Sequence, residues 1–166
     1  MSATKLGVLV DLTTGKAVGV EIGSNTISGF ETIIGGDGDD TFIIDATPVS
    51  VRGGDGRDDF KFSAVALTAG SQPVEHSIHD FMFEDRIHVG DYEISNRAAR
   101  DVEDLFEDIY GEAATHGHER SIRYRNERVE EMERTKIEAD LDGDALYELA
   151  INLDGHHILF IAENIG

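Results

Sequence analysis

Apolar positions keep a nine-residue beat through the first third of the chain, at Ile33, Phe42, Val51 and Phe60. Neither the 3.6-residue period of a helix nor the alternation of an ordinary hairpin generates that spacing. One short strand and one turn per nine residues does, and the beat persists through Ile44–Arg52, where the glycines are lost. Upstream, Gly7–Leu12, Lys16–Glu21 and Thr26–Ile34 are β-branched or apolar runs separated by Thr/Gly and Gly/Ser/Asn clusters. They predict short strands stacked ahead of the repeats.

After Ser63 the pattern changes. Ser77–Phe81 and Arg86–Gly90 predict two strands around an acidic turn. Arg97–Glu112 has apolar residues at Ala98, Val102, Leu105, Phe106 and Ile109, a spacing that predicts an amphipathic helix. Ile122 with Tyr124, Ile137–Leu141, Leu146–Leu153 and Ile158–Ile161 read as strands of an antiparallel or mixed sheet. Asn126–Arg134 stays open between a helical turn and a polar loop.

The beat carries a repeated motif. Gly35-Gly-Asp-Gly-Asp-Asp-Thr-Phe-Ile43 returns as Gly53-Gly-Asp-Gly-Arg-Asp-Asp-Phe-Lys61, two nine-residue periods later. Gly-Gly-x-Gly-x-Asp-x-U-x, with U a large apolar residue, is a calcium-binding repeat. Glycines permit the positive φ that turns carbonyls towards one centre, and calcium takes six to eight hard oxygen ligands from carbonyls and carboxylates. In a two-sided roll, turns eighteen residues apart stack on one edge. Asp40 and Asp58 then face one ion, supported by Asp37, Asp55 and the carbonyls of Gly36, Gly38, Gly54 and Gly56. The plainer alternative is that Asp-Gly simply makes ordinary turns between strands; two full copies in phase with the apolar beat favour calcium.

With these residues the chain resembles the repeats-in-toxin, or hemolysin-type repeat, family. Ile78-His-Asp-Phe81 followed by Asp85-Arg-Ile87 is similar to the segment after the roll in serralysin-type proteases and alginate epimerases. Gly7–Leu12, Gly15 and Ser28-Gly-Phe-Glu31 resemble their lead-in coils. The resemblance covers roughly residues 7–91 and implies a right-handed parallel β-roll, calcium in its turns, type I secretion and a non-catalytic role beside another domain. It also implies a further calcium at Asp80 and Asp85, although the spacing is about a residue tighter than usual. Only two complete nonapeptides are present, and residues 97–134 fall outside the pattern. The expected architecture is mainly β: the roll over 1–63, and a mixed or antiparallel capping region with one helix over 64–166, sharing one core.

A third acidic group, Asp140-Leu-Asp-Gly-Asp144 with Glu148, resembles calcium loops of the integrin-propeller kind. It is not an EF-hand, because glycine falls at position four and Ile151 at position twelve; the competing reading is a hairpin turn. His76/His79, His116/His118 and His156/His157 are expected to be solvated rather than metal ligands, and none lies in a His-Glu-x-x-His helix. No serine nucleophile elbow or phosphate-cradling loop is present, so no catalytic residues are assigned.

Composition narrows the partners. Asp and Glu number 34 against 14 Lys and Arg, a formal charge of -20, which argues against nucleic acid and anionic membranes. With no cysteine there are no disulfides or thiolate metal sites. No apolar stretch of about 18 residues exists to span a membrane. Met1–Lys5 lacks the features of a cleavable secretory signal, so a secreted protein would need another export signal or a larger parent chain. The expected partners are calcium ions and either a parent polypeptide or an extracellular polysaccharide.

Overall fold

In a computed structural model, which describes residues 6–63, 72–96 and 122–163, the chain is mainly β and forms two mixed sheets. The nine-residue beat is visible directly in the strand pairing. The strands β4 (Thr32–Gly36), β5 (Thr41–Ile44), β6 (Ser50–Gly54) and β7 (Asp59–Phe62) enter alternate sheets. Each pairs in parallel with the strand eighteen residues away: Ile33 with Val51 in one sheet, Phe42 with Phe60 in the other. Within each strand the residues of the beat point inward. Phe42, Val51 and Phe60 are buried and Ile33 packs against them.

The lead-in strands are β1 (Val8–Asp11), β2 (Lys16–Gly19) and β3 (Gly23–Thr26). β1 joins β5 in parallel, but β1, β2 and β3 pair antiparallel among themselves. Thr26–Ile34 is therefore not one strand; residues 27–31 cross from one sheet to the other between β3 and β4.

The C-terminal strands extend these same two sheets. β8 (Val74–Ile78) and β9 (Arg86–Val89) continue the parallel ladders of β6 and β7. β10 (Tyr92–Asn96) and β14 (Leu159–Glu163) close the eight-stranded sheet, whose order is β14-β10-β9-β7-β5-β1-β2-β3. β11 (Ile122–Val129), β12 (Met132–Ala139) and β13 (Leu149–Asp154) complete the six-stranded sheet in the order β11-β12-β13-β8-β6-β4. One apolar cluster runs between the sheets from Val10 to Leu159.

Asn126–Arg134 is neither helical turn nor polar loop. It belongs to a hairpin whose two-residue turn, Glu130-Glu131, adopts positive φ of 49° and 70°, the backbone of a tight turn matched to strand twist. Its charges alternate across the sheet: Arg123 and Arg125 both reach Glu138, and Arg134 pairs with Glu127. The helix expected over Arg97–Glu112 lies outside the described residues. Among the described residues no helix is long and apolar enough to cross a membrane.

Candidate metal centre

The two glycine motifs stack as the eighteen-residue period requires. Gly36 lies under Gly54 and Gly38 under Gly56, so close that a Cβ on either upper glycine would collide with the carbonyl below. Gly54 and Gly56 have φ of 103° and 125°, open to glycine alone at little cost. The Gly36 carbonyl accepts the Asp55 N–H at 3.0 Å.

Inside this edge the aspartates form a column. Asp40 Oδ1 accepts the Val8 N–H at 2.7 Å, Asp58 Oδ1 the Asp40 N–H at 2.9 Å, and Asp85 Oδ1 the Asp58 N–H at 3.0 Å. All three residues are at most 2 % exposed. The structure thus brings Asp40 and Asp58 together on one edge, in adjacent layers. It also makes Asp85 a third rung of that column, where the sequence had grouped it with Asp80. Asp80 instead grips the N–H groups of Gly53 and Gly54 at 2.9 and 3.1 Å. Asp37 and Asp55 are exposed at the turn tips. Asp39, which sequence reasoning passed over, accepts the Arg57 N–H at 3.0 Å and ties the two turns together.

The electrostatics of the column are unfavourable as they stand. Asp40 Oδ2 and Asp58 Oδ2 are buried without a hydrogen-bond partner among the described residues. Burial, with the negative charges of Asp85, Asp40 and Asp80 nearby, pushes the Asp58 carboxyl up to about 7. Burial also raises Asp40, assisted by Asp39, and Asp85, assisted by Asp80. A buried carboxylate oxygen with no donor is costly, and a hard divalent cation is the partner whose chemistry suits it. These residues, with the glycine carbonyls above and below them, could hold calcium. Gly35 and Gly53 are part of the fit, since a Cβ there would overlap Asp40 Oδ2 and Asp58 Oδ2.

A second acidic group lies in the β12–β13 connection. Asp140, Asp142, Asp144 and Glu148 offer carboxylate oxygens within 4.8 Å of one another and could hold a metal ion. The same side chains build the turn. Asp140 accepts from Gly143 and Ala145, Asp144 from Leu146, and the buried Glu148 from Leu141.

A family profile described as peptidase M10 serralysin C terminal matches residues 11–162. The chain belongs to that family. The serralysin C-terminal domain is a non-catalytic part of a secreted metalloprotease, and the match takes in both sheets, the glycine motifs and the β12–β13 loop. No curated protein matched the chain.

The histidines divide in a way the sequence reading did not foresee. His76 is 1 % exposed, not solvated, and packs edge-on against Phe62 with ring centroids 5.1 Å apart. Neither ring nitrogen has a partner among the described residues, and burial pulls its pKa down to about 4. The signal was available, because period-two alternation puts Val74, His76 and Ile78 on one face of β8. His79 pairs with Asp154 at 2.9 Å, and His157 links Asn96 at 3.0 Å to the Asp154 carbonyl. His156 is exposed, and His116 and His118 lie outside the described residues.

Proposed function

We propose that this chain is a secreted calcium-binding module of the repeats-in-toxin type, a right-handed parallel β-roll whose folding is driven by calcium and which carries no catalytic site. The observation that carries the reading is the buried Asp40–Asp58–Asp85 column, with two carboxylate oxygens that no donor among the described residues reaches. Strands alternating between sheets every nine residues, with in-register partners eighteen apart, support the roll. Asp40 and Asp58 bind the ion with the carbonyls of Gly36, Gly38, Gly54 and Gly56. Asp37 and Asp55 contribute from the turn tips, and Asp80 and Asp85 from the following layer. Asp140, Asp142, Asp144 and Glu148 form a second, more exposed calcium site. Residues 1–63 carry the repeats, and 64–166 complete the core on which they fold.

At low calcium the crowded carboxylates disfavour the folded roll. At around millimolar calcium, weak extracellular-type sites fill and shift the chain to the folded state. A chain exported unfolded by the type I route would then fold on arrival. The family match favours a second, compatible reading, in which the module stabilises or aids secretion of a larger secreted hydrolase or epimerase, or binds polysaccharide for it.

Calcium titration followed by far-ultraviolet circular dichroism tests the proposal. The chain should pass from largely unfolded to β-rich with a midpoint of roughly 10⁻⁴ to 10⁻³ M, and magnesium should substitute poorly. An unchanged spectrum and melting temperature in excess chelator would refute it.

A further inference from the structure

The two sheets end unevenly on the side of the lead-in strands. Among the described residues the six-stranded sheet stops at β4, whereas the eight-stranded sheet runs on through β1, β2 and β3. Within this step lies a groove of about 290 Å³, lined by Val10, Ala17, Ile22, Ile27, Phe30 and Ile33 among others. Several exposed apolar side chains lie at this end of the molecule, of which Ile22, Phe30 and Ile34 line the groove. Val20 is 80 % exposed, Ile34 68 %, Phe30 50 % and Ile22 46 %.

Both edge strands at this end lack charge: β3 reads Gly-Ser-Asn-Thr and β4 Thr-Ile-Ile-Gly-Gly. The opposite edge of the six-stranded sheet, β11, carries Arg123, Arg125, Glu127 and Arg128. Edge charges stop strands from pairing with other chains, and β3 and β4 have none. The local charge also differs from that of the whole chain. Residues 16–36 contain only Lys16, Glu21 and Glu31, a sum of -1 out of -20. An acidic partner is therefore not repelled at this face. About twenty residues make up this terminal layer, close to the 20–30 a side of a standard protein interface.

We propose that the step seats a second copy of this chain, the two joined as a half-lap about a two-fold axis. A rotation that exchanges the two sheet planes brings β3 of each copy alongside β4 of the other. The two overhanging faces of β1–β3 then close on each other. A two-fold contact requires projection and hollow in the same patch. Ile22 and Phe30 satisfy this, since both line the groove and remain about half exposed. The strand pairing supplies the register, and the aliphatic side chains supply the burial.

Sedimentation velocity on the full chain, saturated with calcium, at roughly 1–100 μM brackets a micromolar interface. A dimer is expected. Ile22→Glu and Phe30→Glu should each weaken it at least tenfold while leaving the circular dichroism spectrum unchanged. Ile34→Lys, at a more exposed position, provides the test if either of these fails to fold. Phe160→Glu, on β14 at the far end and 55 % exposed, should leave the dimer intact. A monomer at every concentration overturns the proposal, as does a dimer that ignores all three groove variants or that Phe160→Glu dissolves. A monomer that takes up a synthetic peptide copying residues 20–28 would also overturn it, by assigning the groove to an extended segment of another chain.

Discussion

Removing the Phe60 ring tests the link between the nine-residue register and stability. Phe60 is fully buried and stacks on Phe42, with ring centroids 5.3 Å apart and planes 10° from parallel. On its other side Phe81 lies at 6.4 Å, tilted by 57°. Phe60→Ala therefore deletes the middle ring of three, in a core where β5, β7 and β9 are held in register above and below it. The backbone ladder limits collapse into the space, so the full range for an aromatic truncation applies, ~3–5 kcal/mol. A single calcium site at 100-fold excess over its dissociation constant contributes about 2.7 kcal/mol. The loss exceeds what the ion supplies, and the variant should stay poorly folded even in high calcium. For a chain of this size each kcal/mol moves the melting temperature by about 2–4 °C, so any variant that does fold should melt roughly 6–20 °C lower. Urea melts in saturating calcium, followed by circular dichroism, provide the measurement. Thr41→Ala, in the same rung as Asp59 but out of phase with the rings, should change stability by less than about 0.5 kcal/mol. A Phe60→Ala protein within 1 kcal/mol of wild type would mean that the stacked rings do not hold the sheets together.

Asp40→Ala and Asp58→Ala should each weaken calcium binding strongly, yet the double variant should add little if, as proposed, both serve one ion. Losses that simply add in a calorimetric cycle would assign them to separate sites. Gly53→Ala should weaken calcium binding about as strongly as Asp58→Ala, since the new methyl group overlaps Asp58 Oδ2; an unaltered titration would show that the glycine cradle is irrelevant. Acid should act on His76 in a defined direction. Its folded pKa of about 4 lies below the usual ~6.5, so the unfolded chain binds more protons between those values. Stability should therefore fall as pH drops from about 6.5 towards 4, by up to ~3 kcal/mol, and His76→Phe should remove that loss. Asp58 works in the opposite sense in chelator. Its raised pKa means that destabilisation grows as pH rises from about 4 to about 7, and Asp58→Asn should flatten that limb.

The repeat region was legible because its constraints are local and periodic. Phe42 and Phe60 share a phase, and glycines mark each turn, so register, edge and facing residues followed without long-range information. The third rung was harder. Asp85 joins Asp40 and Asp58 only after the chain departs from the nine-residue count, and nothing local says that it lands on the same edge. The hairpin at Asn126–Arg134 was obscured because charged residues hide the alternation that marks a strand, and two glutamates occupy a turn usually signalled by Asn or Gly. β10 went unread for a related reason: a single buried residue, Ile94, defines its inner face. His76 was misjudged by residue type, although its position in β8 was informative.

The buried aspartate column has a direction. Asp40 takes the main-chain N–H of Val8, Asp58 that of Asp40, and Asp85 that of Asp58. Each later layer completes the one before it, and none completes the one after. The stack resembles a row of roof tiles laid from the C-terminal side, each holding down the edge of its predecessor. Trimming the chain before Gly35 would leave Asp58 and Asp85 with the N–H groups they already hold. Ending it at Ser63 would leave the Asp58 N–H without its acceptor and strip Phe60 of Phe81. The repeats carry Asp40 and Asp58, but the tile that fixes their order is supplied by the sequence that follows them.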